Sequence, residues 1–242
     1  MAVSPSVAEL RRRLGVDGAR GEPPGLPGVR CLPGPDAAVV LLADTAVGAA
    51  WARRRGEVLS REEAERAARF VFPGLGEVWT GARVLLREVL GRATLTPAAD
   101  VQIRAGEFGK PSVNGVEFSL SHTGSVVLIG LGDLPLGADV EKIPEERTVH
   151  QVGPSFHPRE AAELLGLPAD ERPEAFARVW VRKEALLKAI GTGLSRGISR
   201  DYVGAGTVPG TPVAGLRIHD VALPGMAEHR AALCTTVTAA IP

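Results

Sequence analysis

The sequence predicts a mixed α+β fold, because patterns typical of amphipathic helices and of short strands both recur along its 242 residues. Apolar runs of strand length are bounded by Gly and Pro, and other stretches carry apolar residues at helical spacing. One helical stretch opens with a capping-box pattern, Ser60-Arg61-Glu62-Glu63. With 45% hydrophobic and 23% charged residues, the chain has enough apolar material for one large core or two small ones.

The elements of the N-terminal part are predicted from local signals. Residues 6–14 have the spacing of a short amphipathic helix, and residues 18–35 are so rich in Gly and Pro that a peripheral loop is expected. The apolar run 37–43 predicts a buried strand. The capping box predicts a helix over 60–72, and recurring apolar residues predict another helix over 76–90.

Strands and helices alternate in the remainder of the chain. The strands over 116–121 and 125–131, followed through the short connection Asp133-Leu134-Pro135 by a strand over 136–143, together suggest an antiparallel hairpin. Gly191 and Gly193 are the expected stop of a long helix. In chain order, the predicted elements are strands over 116–121, 125–131 and 136–143, helices over 158–165 and 174–190, and strands over 216–221 and 231–237.

Charge and cysteine content exclude several classes of protein. Equal numbers of basic and acidic residues, 28 each, argue against a surface that binds nucleic acid or an anionic membrane. Cys31 and Cys234 lack the spacing of a metal or redox motif and are expected to be free thiols. Arg11-Arg12-Arg13 is not followed by an apolar signal core, and the apolar stretch 37–51 is too short to span a bilayer. These features predict a cytoplasmic protein.

Two carboxylates, Asp139 and Glu141, lie two residues apart in a predicted strand, beside Gly137. Because alternate strand residues point the same way, both carboxylates are expected on one face. Mg²⁺ prefers oxygen ligands and often uses one or two carboxylates together with substrate phosphates, so this face fits a magnesium site. The alternative is that the pair forms the solvent-exposed face of an ordinary strand.

Phe176, Trp180, Glu184 and Lys188 recur at every fourth position and form one stripe on a predicted helix. The ordinary alternative is an exposed Glu-to-Lys ion pair, worth about 0.3–0.5 kcal/mol. The stripe begins with two aromatic residues, which favours a position bordering the core or a cleft. Glu184 is then placed to join the acidic pair around a metal, and Lys188 to neutralise a phosphate leaving group.

Residue types that bind phosphate accompany this pattern. The chain has only four lysines, and three of them, Lys110, Lys183 and Lys188, lie in two short motifs although arginine dominates elsewhere. Ser121-His122 ends an apolar strand and precedes small residues whose backbone amides can approach an anion. Neighbouring strand residues face opposite sides, so a serine-hydrolase triad is discounted. A histidine bonded to the backbone is the structural alternative for His122.

Four short motifs follow one another along the chain: Gly109-Lys110-Pro111, Phe118-Ser119-Leu120-Ser121-His122, Leu136-Gly137-Ala138-Asp139-Val140-Glu141 and Trp180-x-x-Lys183-Glu184-Ala185-x-x-Lys188. In this order and spacing they closely resemble the 4′-phosphopantetheinyl transferases of the surfactin-synthetase-activating type. The resemblance covers about residues 59–194, and although each motif is short, their joint occurrence is specific.

The resemblance implies transfer of the phosphopantetheine arm of coenzyme A, the co-substrate, to a serine of an apo acyl or peptidyl carrier protein, with release of adenosine 3′,5′-bisphosphate. It also implies a divalent cation, which is Mg²⁺ or, as a substitute, Mn²⁺. By similarity, the metal ligands are Asp139, Glu141 and Glu184, and the coenzyme A contacts are Lys110, Ser121, His122, Lys188, and Arg66 or Arg69 at the 3′-phosphate.

The implied reaction requires charge neutralisation and removal of the serine proton. Mg²⁺ and Lys188 supply the neutralisation. Glu184 is the leading candidate for the general base, directly or through a water, with Glu141 as the competitor. Residue types alone do not separate a metal ligand from a base.

The resemblance further implies two similar α+β halves related by a pseudo-twofold axis, with the active site in the cleft between them. We therefore expect a first half over 1–135, with the Pro/Gly-rich N-terminal segment at its periphery. The second half, over 136–242, would carry the metal-site carboxylates. A monomer is expected, because both halves lie in one chain.

Two other functions fit part of the pattern. A metal-dependent nuclease also uses carboxylates and lysine, but the helical spacing of Glu184 and Lys188 and the neutral net charge argue against it. A non-catalytic module that binds coenzyme A or a carrier protein would keep the fold without the chemistry. Retention of every carboxylate and lysine of the motifs argues against such a module.

Overall fold

The computed structural model describes residues 4–16, 21–55, 58–106 and 108–237, so residues 18–20 of the predicted loop lie outside the described residues. Helices and antiparallel sheets occur together in these ranges, and the predicted α+β class is confirmed. Over the same residues, no helix combines the length and the apolar character needed to cross a bilayer.

Two compact units make up the chain. The first contains residues 1–104 and 111–133, and the second contains residues 105–110 and 134–242. The pseudo-twofold relation between halves and the boundary between residues 135 and 136 stay predictions.

The first unit is built on a four-stranded antiparallel sheet in the order β1-β2-β6-β5. Thr123 pairs with Val126, so β5 and β6 form a tight hairpin, as predicted. The elements up to residue 132 are α1 (Val7–Leu14), β1 (Val29–Leu32), β2 (Val39–Asp44), α2 (Thr45–Arg55), α3 (Arg61–Ala68), α4 (Pro73–Thr94), the two-residue strands β3 (Arg104–Ala105) and β4 (Pro111–Ser112), β5 (Glu117–Thr123) and β6 (Val126–Gly132).

Helix α3 begins where its capping box predicts. The Ser60 side chain accepts a hydrogen bond from the Glu63 amide, and the Glu63 carboxylate accepts one from the Ser60 amide. Glu63 is also buried between Arg83 and Arg87, and Arg87 donates to three backbone carbonyls of residues 98–101. One carboxylate therefore caps α3 and fixes it to α4.

The N-terminal Pro/Gly-rich segment is not all loop, and that prediction is wrong. Strand β1 forms within it, and Leu26 is fully buried in the core of the first unit, as are Leu10 and Leu14 of α1. Helix α2 was also not predicted, because Gly48 reads as a breaker in the sequence. A Cβ at Gly48 would lie 2.0 Å from the Gly81 carbonyl oxygen, so this glycine lets α2 pack directly on α4.

The second unit places α7 across a three-stranded antiparallel sheet in the order β7-β9-β8. Strand β7 pairs with β9, so it is not part of the predicted hairpin with the strands before it. Gly191 ends α7 with a positive φ of 82°, as predicted. The elements are β7 (Leu136–Lys142), α5 (Glu146–Val152), α6 (Pro158–Gly166), α7 (Arg172–Ile190), β8 (Leu216–Asp220) and β9 (His229–Thr236).

Both cysteines are buried free thiols, as predicted. Burial is the main cause that raises the pKa of Cys234 to about 12, and burial also raises the pKa of Cys31. Because the thiolate is the reactive form, neither side chain is suited to nucleophilic or redox chemistry.

Candidate active site

Gly137 lets α7 lie directly on β7. A Cβ at this position would lie 2.0 Å from the Ala185 carbonyl oxygen and 2.5 Å from the Ala189 amide nitrogen, distances at which atoms clash. Gly137 therefore faces α7, and Asp139 faces the same way because strand residues alternate. The predicted arrangement of Gly137 and Asp139 on one face is confirmed in this respect.

Asp139 and Lys188 form a close ion pair between β7 and α7. The Lys188 Nζ donates to Asp139 Oδ1 at 2.6 Å and to the Ala138 carbonyl at 3.2 Å. Asp139 is only 2% exposed, and its second oxygen, Oδ2, is buried and accepts no hydrogen bond from the described residues. The partners of Lys188 therefore lie on β7, and the ordinary alternative of an exposed ion pair within one helix does not describe this lysine.

Glu184 lies one helical turn before Lys188 and belongs to the same cluster. Burial raises the pKa of its carboxyl group, the charge of Asp139 raises it further, and the charge of Lys188 opposes the rise. A carboxylate with a raised pKa is a better proton acceptor, and two carboxylates that repel each other are suited to share a cation.

Lys110 contacts β7, the strand that carries Asp139. Its Nζ donates to the Leu136 carbonyl at 3.0 Å, two residues before the carbonyl that Lys188 contacts. Alternate carbonyls of a strand point the same way and are about 7 Å apart. The structure therefore brings the two lysines, Asp139 and Glu184 to one edge of β7.

Glu141 follows Asp139 on the same face of the strand and is partly buried. It lies opposite Arg230 of β9 in the strand register. Among the described residues, no group of three or more histidine, cysteine, aspartate or glutamate side chains is arranged to hold a metal ion. The predicted three-carboxylate metal site therefore stays a prediction, and the close cluster is that of Asp139, Glu184 and Lys188.

The other predicted phosphate contacts lie in the first unit. Ser121 is buried and His122 is exposed on β5, so the two side chains face opposite sides as expected. Arg66 lies over the Trp79 ring at 5.4 Å, and Arg69, which caps α3 and is 78% exposed, lies 3.8 Å from Glu65. The binding roles of all four residues stay predictions.

Two features of the site were missed by reasoning from the sequence. Gly137 was noted only as a neighbour of the acidic pair, although its lack of a side chain sets the distance between α7 and β7. Lys183 is not directed to the cluster, since it is 3% exposed and paired at 2.7 Å with the fully buried Glu160. The capping-box spacing of His157 and Glu160 could have placed Glu160 at the start of α6, but no local pattern indicates its pairing with Lys183.

Comparisons with known proteins cover the part of the chain that holds this cluster. Residues 135–207, which contain Asp139, Glu184 and Lys188, match the family model of the 4′-phosphopantetheinyl transferase superfamily. The 4′-phosphopantetheinyl transferase HetI of Nostoc sp. (strain PCC 7120) is 32% identical over 146 residues, which are 57% of this chain and 62% of that protein. The 4′-phosphopantetheinyl transferase Sfp of Bacillus subtilis (strain 168) is 29% identical over 140 residues, again 57% and 62% of the two chains.

The fold and the cluster are therefore those of a mixed α+β protein with an acidic and basic site between a strand and a helix. The chain is therefore similar to 4′-phosphopantetheinyl transferases, and residues 135–207 carry the match to the superfamily model. It spans about three fifths of the length of the curated relatives it matches.

Proposed function

We propose that the protein is a 4′-phosphopantetheinyl transferase of the surfactin-synthetase-activating type. It would transfer the phosphopantetheine arm of coenzyme A to a serine of an apo acyl or peptidyl carrier protein. The new bond joins the serine oxygen to the β-phosphorus of coenzyme A, the bond from that phosphorus to the bridging oxygen breaks, and adenosine 3′,5′-bisphosphate leaves.

The observation that carries this proposal is the cluster of Asp139, Glu184 and Lys188 within the matched region. A base with a raised pKa and an ammonium group lie beside a buried carboxylate, which is the combination that phosphoryl transfer to a hydroxyl requires. In this proposal Glu184 accepts the serine proton and Lys188 binds the pyrophosphate, where negative charge develops on the leaving group.

The donor chemistry of the cluster also fits Mg²⁺. Asp139 and Glu184 offer carboxylate oxygens, and the pKa of Glu184 is raised by burial first and by the charge of Asp139 second, as expected for two neighbouring carboxylates. Mg²⁺ commonly takes one or two protein carboxylates together with phosphate oxygens and waters, so a full protein cage is not needed. Asp139, Glu184 and Glu141 would hold the ion, with Mn²⁺ as a substitute. When bound, the ion supplies charge neutralisation of the phosphates.

The remaining predicted residues are assigned to coenzyme A. Lys110, Ser121 and His122 would bind its phosphates and base, and Arg66 or Arg69 its 3′-phosphate. We further propose that the two compact units correspond to the predicted halves, residues 1–135 and 136–242, and that the protein acts as a monomer. Acyl and peptidyl carriers both present a serine as the acceptor, so the experiment below has to distinguish between these two classes of carrier.

Intact-mass spectrometry of several apo carrier proteins tests the function directly. Each carrier is incubated with the protein, coenzyme A and Mg²⁺, with a matched EDTA control. A gain of about 340 Da on a carrier, the mass of one phosphopantetheine arm, is expected only with the metal present. Coenzyme A binding without any gain would favour a non-catalytic binding module, and cleavage of added DNA would favour the nuclease.

A further inference from the structure

Lys183 is the residue immediately before Glu184, but its side chain points to a different part of the second unit. Its Nζ lies 2.7 Å from Glu160 Oε2 and donates to the Asp201 carbonyl at 2.7 Å. The Lys183 and Glu160 side chains are only 3% and 0% exposed. The lysine therefore contributes no charge to solvent and lies away from the candidate cluster.

Glu160 extends this contact into a network. Its Oε1 accepts hydrogen bonds from the Val203 amide at 2.6 Å and the Gly204 amide at 3.2 Å. Its Oε2 accepts from the His157 amide at 3.1 Å and completes the capping box of α6. One buried ion pair thus joins the start of α6, the middle of α7 and residues 201–204.

The energetics of such a pair favour a role in placement over a role in stability. The Lys183 ammonium group and the Glu160 carboxylate are both almost completely removed from water, so keeping these two charges inside the protein has a desolvation cost. Replacing a buried ion pair with apolar residues is often neutral or stabilising in other proteins. A lysine kept at this cost is better explained by the geometry that it imposes on α7.

Charged contacts surround α7 on the sides away from the cluster. Arg182 is fully buried, pairs with Asp220 and donates to the Gly204 and Gly206 carbonyls. At about 100° per residue, Arg182 points roughly 200° away from Glu184, and Lys183 lies between the two directions. The rotation of α7 about its axis is therefore set by polar contacts on two sides and by Gly137 on the third.

We propose that Lys183 is a positioning residue that holds Glu184 and Lys188 in register with Asp139. This inference rests on the proposed transferase function for its kinetic consequence. A 20° rotation of α7 would move a group about 6 Å from the helix axis by about 2 Å. A displacement of about 1 Å in an active site can lower the rate about 100-fold.

The test compares Lys183→Met with wild type and with Arg178→Gln. Arg178 lies on the same helix and also joins an ion pair and a loop carbonyl, that of Ala205, but it is six residues from Glu184. Transfer to a carrier is measured at a temperature well below the Tm of each variant, with kcat and the KM for coenzyme A determined separately. Crystal structures of wild type and Lys183→Met provide a readout that does not depend on activity.

For Lys183→Met we expect a kcat that is about 10- to 100-fold lower, with the KM for coenzyme A within about threefold of wild type. The Lys188–Asp139 separation, 2.6 Å here, should lengthen by about 1 Å or more, as a rotated helix requires. Arg178→Gln should keep kcat within about twofold. Should Lys183→Met not fold, Lys183→Gln keeps a donor for the Asp201 carbonyl and takes its place.

A folded variant with a lower Tm, an unchanged kcat and an unchanged Lys188–Asp139 contact would overturn the inference, since Lys183 would then be merely structural. Loss of transfer by wild type as well would count against the proposed function only. In that case the crystal structures still decide whether Lys183 sets the position of α7.

Discussion

Substitution of Gly137 by alanine is the sharpest test of how the site is built. The added Cβ would lie 2.0 Å from the Ala185 carbonyl oxygen and 2.8 Å from the Lys188 Cβ. Because carbon and oxygen atoms normally approach no closer than about 3.3 Å, α7 must move away from β7 by about 1 Å. Overpacking of this kind typically costs about 1–3 kcal/mol.

Two measurements follow from this displacement. Each kcal/mol lowers the Tm by about 2–4 °C for a chain of this size, so calorimetry should show a decrease of about 2–12 °C. The Asp139–Lys188 pair spans the same interface, so transfer to the carrier should fall about 100-fold at temperatures where the variant is folded. Gly166→Ala is the matched control, because a Cβ there meets nothing within 4 Å. An unchanged Tm for Gly137→Ala would show that α7 is not held in contact with β7 as described.

Three further substitutions test separate parts of the structure. Lys188→Ala should lower transfer about 100-fold or more in steady-state kinetics on carrier. Lys142→Ala, which removes an exposed lysine of β7, should not. Glu184→Gln should abolish transfer yet raise the Tm at neutral pH. The raised pKa of Glu184 means that the folded protein binds a proton at this carboxylate more readily than the unfolded chain does. The stability of the wild type therefore rises as the pH falls through that pKa, and the difference in Tm between Glu184→Gln and wild type becomes smaller. Ser60→Ala should lower the free energy of unfolding by about 1 kcal/mol in denaturant titrations, because it removes the side-chain cap of α3.

Each of these outcomes has a clear opposite. Equal losses of activity for the two lysine variants would assign the effect to general surface charge. A Tm of Glu184→Gln that is lower than wild type at all pH values would mean that the carboxylate is stabilised by its surroundings. A Ser60→Ala protein as stable as wild type would indicate that other contacts of α3 replace the cap.

Local signals in the sequence predicted the elements that depend on neighbours in the chain. The capping box at Ser60, the stop at Gly191 and the β5–β6 hairpin all involve residues a few positions apart, and the structure confirms each of them. The stripe of Glu184 and Lys188 was likewise visible from helical spacing. These features could be predicted because their energetics are short-range.

Features that depend on distant residues could not be predicted in the same way. In the sequence Gly48 indicates a helix breaker, but in the structure it lies in α2 directly against Gly81 of α4. Strand β1 forms because β2 offers a partner strand. The pairing of Lys183 with Glu160 joins residues 23 positions apart, and no local pattern around either residue indicates the other residue as its partner. In each case tertiary packing overrides the local pattern.

The position of β7 at the end of its sheet has a consequence for handling the protein. An end strand offers backbone groups that can recruit a strand from another molecule, and natural proteins often place lysines there to prevent this. Lys110 and Lys188 donate to two carbonyls of β7 and so cover part of that edge. Variants that lack both lysines should therefore be prone to aggregate, and their oligomeric state has to be measured before a loss of activity is assigned to chemistry.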